Sequence, residues 1–137
     1  MKRIIGLDIG DVRIGIACSD LMRIIASPYE TYKRKNEGDV DFQYIANLAK
    51  EKEADTIVCG MPYSMDGTDS KQTVKAREFI EKLKTFTDCK VVFVDERLSS
   101  WAADQMMIQD DVSREKRKLS IDKIAASIIL ESYMNRL

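Results

Sequence analysis

Three carboxylates stand at element ends in a chain that holds no histidine. Asp8 closes the apolar run Ile4-Ile5-Gly6-Leu7, and Asp95-Glu96 closes the run Val91-Val92-Phe93-Val94. Asp122 opens the long C-terminal apolar helix. Two strand ends and a helix start can meet at one edge of a small α/β sheet. Without imidazole, Ser-His-Asp, Cys-His and HExxH schemes are excluded by composition. Three converging carboxylates repel one another, and at least one takes up a proton unless a cation joins them. Mg²⁺ suits such a cluster, because it accepts a few carboxylate oxygens together with water and phosphate oxygens. Two such ions about 4 Å apart could bind a scissile phosphate, one activating water and one stabilising the leaving oxygen. The chemistry implied is metal-assisted phosphodiester hydrolysis.

Each carboxylate also has a plainer reading. Asp8 could bond the backbone of its own turn. Glu96 could form a surface pair with Arg97. Asp122 could complement the dipole of a first helical turn. Direction favours a larger role for Asp122. Asp122, Ala126, Ile129 and Tyr133 fall on one helical stripe. Three of the four are apolar or aromatic, so the stripe faces inward. An inward carboxylate is costly unless something charged compensates it.

The elements that must position these groups follow from periodicity. Ile4 to Asp8 reads as a buried strand, Gly10-Asp11 as a turn and Arg13 to Ser19 as a hairpin partner. Ile24 to Lys33 reads as a third strand, with Pro28 marking an edge or a bulge. After the loop Lys35 to Asp39, with Asp39 as N-cap, the residues Val40, Tyr44, Ile45, Leu48 and Ala49 recur at helical spacing. Thr56 to Gly60 is a fourth strand. The loop Met61 to Asp69 could lie over the same edge and lead a phosphate to a helix start. Ser70 can cap a helix whose inner face is Ala76, Ile80 and Leu83. Val91 to Val94 reads as a parallel strand covered on both faces. A helix from Ser99 or Ser100 through Trp101, Ala102, Met106 and Met107 follows. Asp110 to Lys118 reads as a mobile polar loop and Leu119 to Leu137 as the last helix.

At 137 residues this predicts one domain, 1–137. No apolar stretch reaches membrane-span length. The opening Met1-Lys2-Arg3 lacks the apolar region of a signal peptide, so the expectation is a cytoplasmic protein with no membrane partner. Cys18, Cys59 and Cys89 form no CxxC pair and read as reduced, buried thiols rather than a zinc site. The net charge of −1 leaves nucleic-acid contact to local clusters. Two exist: Lys33-Arg34-Lys35, and Arg114 with Lys116-Arg117-Lys118.

The element order β-β-β-α-β-α-β-α-α is that of the ribonuclease H-like fold. It predicts a mixed five-stranded α/β sheet, antiparallel in strands 1–3 and parallel thereafter, with helices on both faces. The residues also resemble the YqgF family, bacterial proteins related to RuvC-type resolvases. The matching segments are Gly6-Leu7-Asp8-Ile9-Gly10 through Arg13 to Asp20, then Gly60-Met61-Pro62 with Met65-Asp66-Gly67-Thr68. Val94-Asp95-Glu96-Arg97-Leu98-Ser99-Ser100 and Asp122 to Ala126 with Ile129 to Tyr133 complete the match. The resemblance implies a nuclease whose catalytic and metal-binding carboxylates are Asp8, Glu96 and Asp122, with Mg²⁺ or Mn²⁺ as cofactor. It implies a structured nucleic-acid substrate: the 5′ end of pre-16S rRNA in ribosome biogenesis, or a Holliday junction as the alternative. Arg13, Arg97, Arg117 and Lys118 would hold backbone phosphates. A junction would favour a homodimer, because it presents paired strands. Val12 and Ser120 stand where the family often carries basic residues, which thins the positive charge near the site.

Two other classes fit parts of the sequence. Gly6-Leu7-Asp8-Ile9-Gly10 would also open an ATP-handling protein of the actin and sugar-kinase superfold, but the chain is too short for two lobes. A non-catalytic nucleic-acid binder or assembly factor would fit the acidic balance.

Overall fold

A computed structural model of the chain describes residues 2–64, 66–95 and 114–137, with backbone alone over 114–120. Its elements are β1 (Arg3–Ile9), β2 (Arg13–Ser19), β3 (Ala26–Lys33), α1 (Val40–Glu51), β4 (Ala54–Met61), α2 (Lys71–Leu83), β5 (Lys90–Asp95) and α3 (Arg114–Met134). The sheet order is β3-β2-β1-β4-β5. β1, β2 and β3 form an antiparallel meander, while β4 runs parallel to both β1 and β5. The mixed sheet is therefore the one the element order predicts.

Alternation along the strands sorts side chains to two faces. Ile5, Leu7, Ile9, Ile14 and Ile16 pack with Phe42, Ile45 and Leu48 of α1 and Ala76, Phe79 and Ile80 of α2. Ile4, Ala17, Val58 and Val94 pack on the other face with Ala126, Ile129 and Leu130 of α3. Helices thus cover both faces. Among the described residues, no helix is long and apolar enough to cross a membrane.

Local signals explain several boundaries. The β1–β2 turn closes with the Gly10 N–H donating to the Arg13 carbonyl at 2.9 Å. Pro28 lies on edge strand β3, and the β2–β3 register shifts between Ile16 and Ala17, opposite Glu30 and Pro28. Pro28 therefore marks both an edge and a bulge, where its missing N–H costs least. Ser70 caps α2 in a reciprocal box with Thr73.

Other expectations need correction. Asp39 occupies the N-cap of α1 but makes no side-chain cap bond. Its carboxylate instead pairs with Lys82 at 3.1 Å. Val40 is exposed, and the buried face of α1 carries Asp41 and Phe42. β5 is an edge strand and Phe93 is 54% exposed, so it is not covered on both faces as a buried parallel strand would be. Arg114 to Lys118 are helical rather than loop, because α3 starts five residues before Leu119. Asp122 therefore lies about two turns into α3 and not in its first turn. The expected helix from Ser99 or Ser100 to Met107 lies outside the described residues. Cys59 is buried, whereas Cys18 and Cys89 are half-buried.

Of the basic cluster Lys33-Arg34-Lys35, Lys33 and Lys35 are exposed, whereas Arg34 turns to partners within the chain. Arg34 donates through Nε to Asp41 at 3.3 Å and through a terminal nitrogen to the Gly10 carbonyl at 2.8 Å. Asp41 further accepts from the Tyr32 hydroxyl and the Lys35 N–H, each at 2.8 Å, and from the Asn36 N–H at 3.2 Å. Burial alone would push the Asp41 carboxyl up. These donors together outweigh it and hold the group below its ordinary 3.8. Burial and the facing carboxylate push Tyr32 up to about 12. A lowered folded-state pKa means the unfolded chain binds the extra proton. The stabilisation is thus present above about pH 4 and is lost as pH falls through the lowered value. Asp41→Ala is expected to cost about 3 kcal/mol at pH 7, because it strands Arg34 and two backbone donors. Urea unfolding at pH 7 and across pH 2–5 checks this: the variant should lose both the stability and part of the acid-side slope.

Candidate active site

β1 and β4 are parallel, with Leu7 beside Cys59, and Gly60 of β4 stands beside Val94 of β5. Three strands therefore end at one edge of the sheet, where loops in open α/β folds collect ligands. Asp8 sits at that edge, paired across the meander with Gly15. Its face follows from alternation. Ile4 packs against α3, and a Cβ on Gly6 would meet Leu130 and Ala126 of α3 at 2.8 and 2.9 Å. Asp8, two residues on, belongs to the same α3-covered face.

Gly15 is where α3 comes closest. A Cβ there would lie 1.9 Å from the carbonyl oxygen of Asp122. No side chain of any size fits between β2 and α3 at this level. The missing Cβ lets the Asp122 turn rest on the backbone directly opposite Asp8. The stripe predicted for α3 is the packed one: Ala126 and Ile129 are buried, Tyr133 packs beside them, and the Asp122 side chain is 23% exposed. Two carboxylates 114 positions apart in the chain thus share one sheet face across Gly15.

Arg13, two residues before Gly15 on β2, joins them. Its Nε donates to Asp122 Oδ2 at 2.9 Å. This guanidinium compensates the inward carboxylate, as the desolvation argument requires. The structure thus brings together Asp8, Asp122 and Arg13 of the expected site residues. Glu96 and Arg97 lie outside the described residues, directly after β5 in the sequence. Arg117 and Lys118 belong to the first turns of α3, and their side chains are likewise outside the description. Among the described residues, no three His, Cys, Asp or Glu side chains form a metal-holding group. The described carboxylates, Asp8 and Asp122 on a strand and a helix, are the oxygen donor type that a hard divalent cation takes.

The loop after β4 is tied down by its own bonds. The Ser64 N–H donates to the Thr68 carbonyl at 2.9 Å, and Asp66 accepts from the Thr68 N–H at 3.0 Å. Ser70 and Thr73 hydroxyls both donate to the Pro62 carbonyl, at 3.1 and 2.8 Å. That fixes the start of α2 against the strand end. On the opposite sheet face, a cleft of about 470 Å³ is lined by Gly10, Asp11, Arg34, Lys75 and Lys82, among others. Each of its cations is engaged by a carboxylate: Lys75 by Asp11, Arg34 by Asp41 and Lys82 by Asp39. Bonds from Gln72 and Lys75 hold the Asp11 carboxyl below its ordinary range. The positive charge lining the cleft is therefore already met by carboxylates of the chain itself.

Gly15 was missed as a site-forming residue. Its signal was present, a residue without a side chain in the alternating run Arg13 to Ser19, level with Asp8. Gly15→Ala is expected to lower stability by about 3 kcal/mol, because a rigid helix backbone must move. Gly38→Ala meets nothing within 4 Å and carries only the cost of its φ of +55°, about 1 kcal/mol. Urea unfolding of the two variants checks the difference; equal losses would mean that the helix contact is not tight.

Comparison with known proteins follows the same lines. Residues 2–136 match the family model described as "RuvX: Holliday junction resolvase". A protein of Fusobacterium nucleatum subsp. nucleatum named "Putative pre-16S rRNA nuclease" is 48% identical over 98% of both chains. One of the same name from Halalkalibacterium halodurans is 44% identical, over 98% of this chain and 96% of its own. Among solved structures, Thermus thermophilus RuvC in complex with a Holliday junction substrate superposes with a TM-score of 0.58 at 10% identity, covering 99% of this chain and 95% of that one. At that identity the likeness speaks for the fold.

Proposed function

The chain belongs to the RuvX (YqgF) family, and from that premise we propose that it is a divalent-metal-dependent nuclease acting on the 5′ end of pre-16S rRNA in the cytoplasm. The observation that carries this reading is the placing of Asp8 beside Gly15, on whose backbone the Asp122 turn of α3 rests. The full-length relatives named for pre-16S rRNA support the substrate. We take the chain as one nuclease domain over 1–137.

In this reading Asp8 and Asp122 hold the ion, and Glu96, the residue following β5, supplies the third carboxylate. A divalent ion at these carboxylates supplies Lewis acidity and a water of lowered pKa. The protein's own residues do the rest. β1 and α3 fix the backbones of the two carboxylates on rigid elements before the substrate arrives. Arg13 at the rim, with Arg97, Arg117 and Lys118, binds backbone phosphates and orients the strand to be cut. A folded RNA end is read by shape and phosphate position, which suits a site with few specific donors. Mg²⁺ or Mn²⁺ both meet the oxygen-only donor set.

The family description keeps branched DNA as the second substrate to test. The assay is cleavage of a pre-16S rRNA 5′ fragment and of a four-way DNA junction, with Mg²⁺, with Mn²⁺ and with EDTA. Asp8→Asn and Asp122→Asn are each expected to reduce RNA cleavage at least about 100-fold, roughly 2.7 kcal/mol of transition-state stabilisation, with the fold retained by circular dichroism. Undiminished cleavage in either variant, or in EDTA, overturns the carboxylate mechanism. Cleavage of the junction alone moves the substrate to DNA. Binding of RNA without any cleavage would make the protein an assembly factor.

A further inference from the structure

Resting on that reading, we propose that Arg13 and the divalent ion are alternative partners of the same Asp122 oxygen, so that loading the metal is what frees Arg13 for substrate phosphate. Arg13 Nε sits 2.9 Å from Asp122 Oδ2, the carboxylate assigned to the ion. The Arg13 side chain is 54% exposed, so it can swing out without breaking the core. Asp122 is held more firmly, on a helix whose backbone touches Gly15. The carboxylate therefore stays and the guanidinium moves.

A second feature sets the direction of that movement. Lys33 of β3 is the direct cross-strand partner of Arg13, and it is exposed. Like charges directly opposite one another on a sheet repel. While Arg13 pairs with Asp122, its charge is satisfied on the α3 side and the repulsion is relieved. Once an ion takes Asp122, Arg13 stands uncompensated beside Lys33, and the two cations favour an anion at the rim. A nucleic-acid phosphate is such an anion. The device imposes an order, metal first and phosphate second, and it lets an internal cation hold the carboxylate in place before either arrives.

The experiment is a calorimetric titration of Mn²⁺ into the wild-type chain, Arg13→Gln and Lys33→Gln, without nucleic acid. Either substitution removes one positive charge at the same level of the sheet, but only Arg13 holds the oxygen. Exchange predicts that Arg13→Gln binds Mn²⁺ about fivefold tighter, the equivalent of one modest ion pair, while Lys33→Gln stays within about twofold of wild type. Equal tightening in both variants, or none in Arg13→Gln, overturns the exchange and leaves the metal site standing. No Mn²⁺ binding by any of the three overturns the exchange and the metal site together. Should Arg13→Gln unfold, the wild-type chain alone decides by nuclear magnetic resonance. Its Arg13 Nε–H signal is expected to shift toward that of a solvated guanidinium as Mg²⁺ saturates the site. A stationary Arg13 signal while the amides around Asp8 and Asp122 move refutes the exchange.

Discussion

The contact on which everything else depends is the one between α3 and the backbone of β2 at Gly15, where no Cβ intervenes. An ordinary helix–sheet contact is spaced by side chains, and a spacer here would hold the Asp122 turn away from the sheet. Gly15 removes it opposite Asp8, and Gly6 does the same farther along, under Ala126 and Leu130. Two side-chain-free positions on adjacent strands therefore seat one helix. The apolar packing of Ala126, Ile129 and Leu130 holds it there. Close packing of this kind yields little to strain, so the position of Asp122 is set by the core and not by its own bonds.

That seating has an electrostatic cost. A carboxylate carried inward must find positive charge, and Arg13 provides it from the start of β2. The same economy recurs on the other face, where Asp41 gathers Tyr32, Arg34 and two backbone donors. The two clusters differ in exposure. Arg34 and Asp41 are nearly enclosed, at 17% and 4%, and form a structural brace. Arg13 is more than half exposed, so its pairing is loose and replaceable.

Much of the fold was legible because local chemistry and tertiary demand agreed. The alternation of Arg13 to Ser19 marked a strand at the observed ends, and Ser70 marked a helix start. Pro28 marked an edge because a ladder cannot use a residue with no N–H. The misreadings have two causes: partners elsewhere in the chain drew side chains away, and polar composition hid a helix start. Asp39 has the right type for a cap, yet Lys82 of α2 takes its carboxylate. Arg34 read as part of a basic cluster open to nucleic acid, yet Asp41, seven residues on, draws it in. The polar run from Arg114 hid the first five residues of α3, since charge alone does not distinguish a loop from an exposed helix. Asp8 and Asp122 could be nominated from their places in the pattern. That Gly15 is what brings them together could not, because glycine in a strand reads first as a weakness.

The topology bears on when such a site can exist during folding. β1, β2 and β3 are joined by short hairpins, so their pairing is local in sequence and closes at low entropic cost. α3 docks on these strands from more than 80 residues away, beyond β3 at Lys33. Contacts of such range form late in small proteins. A half-folded molecule with the meander complete would hold Asp8 in its strand before the Asp122 turn of α3 had reached Gly15.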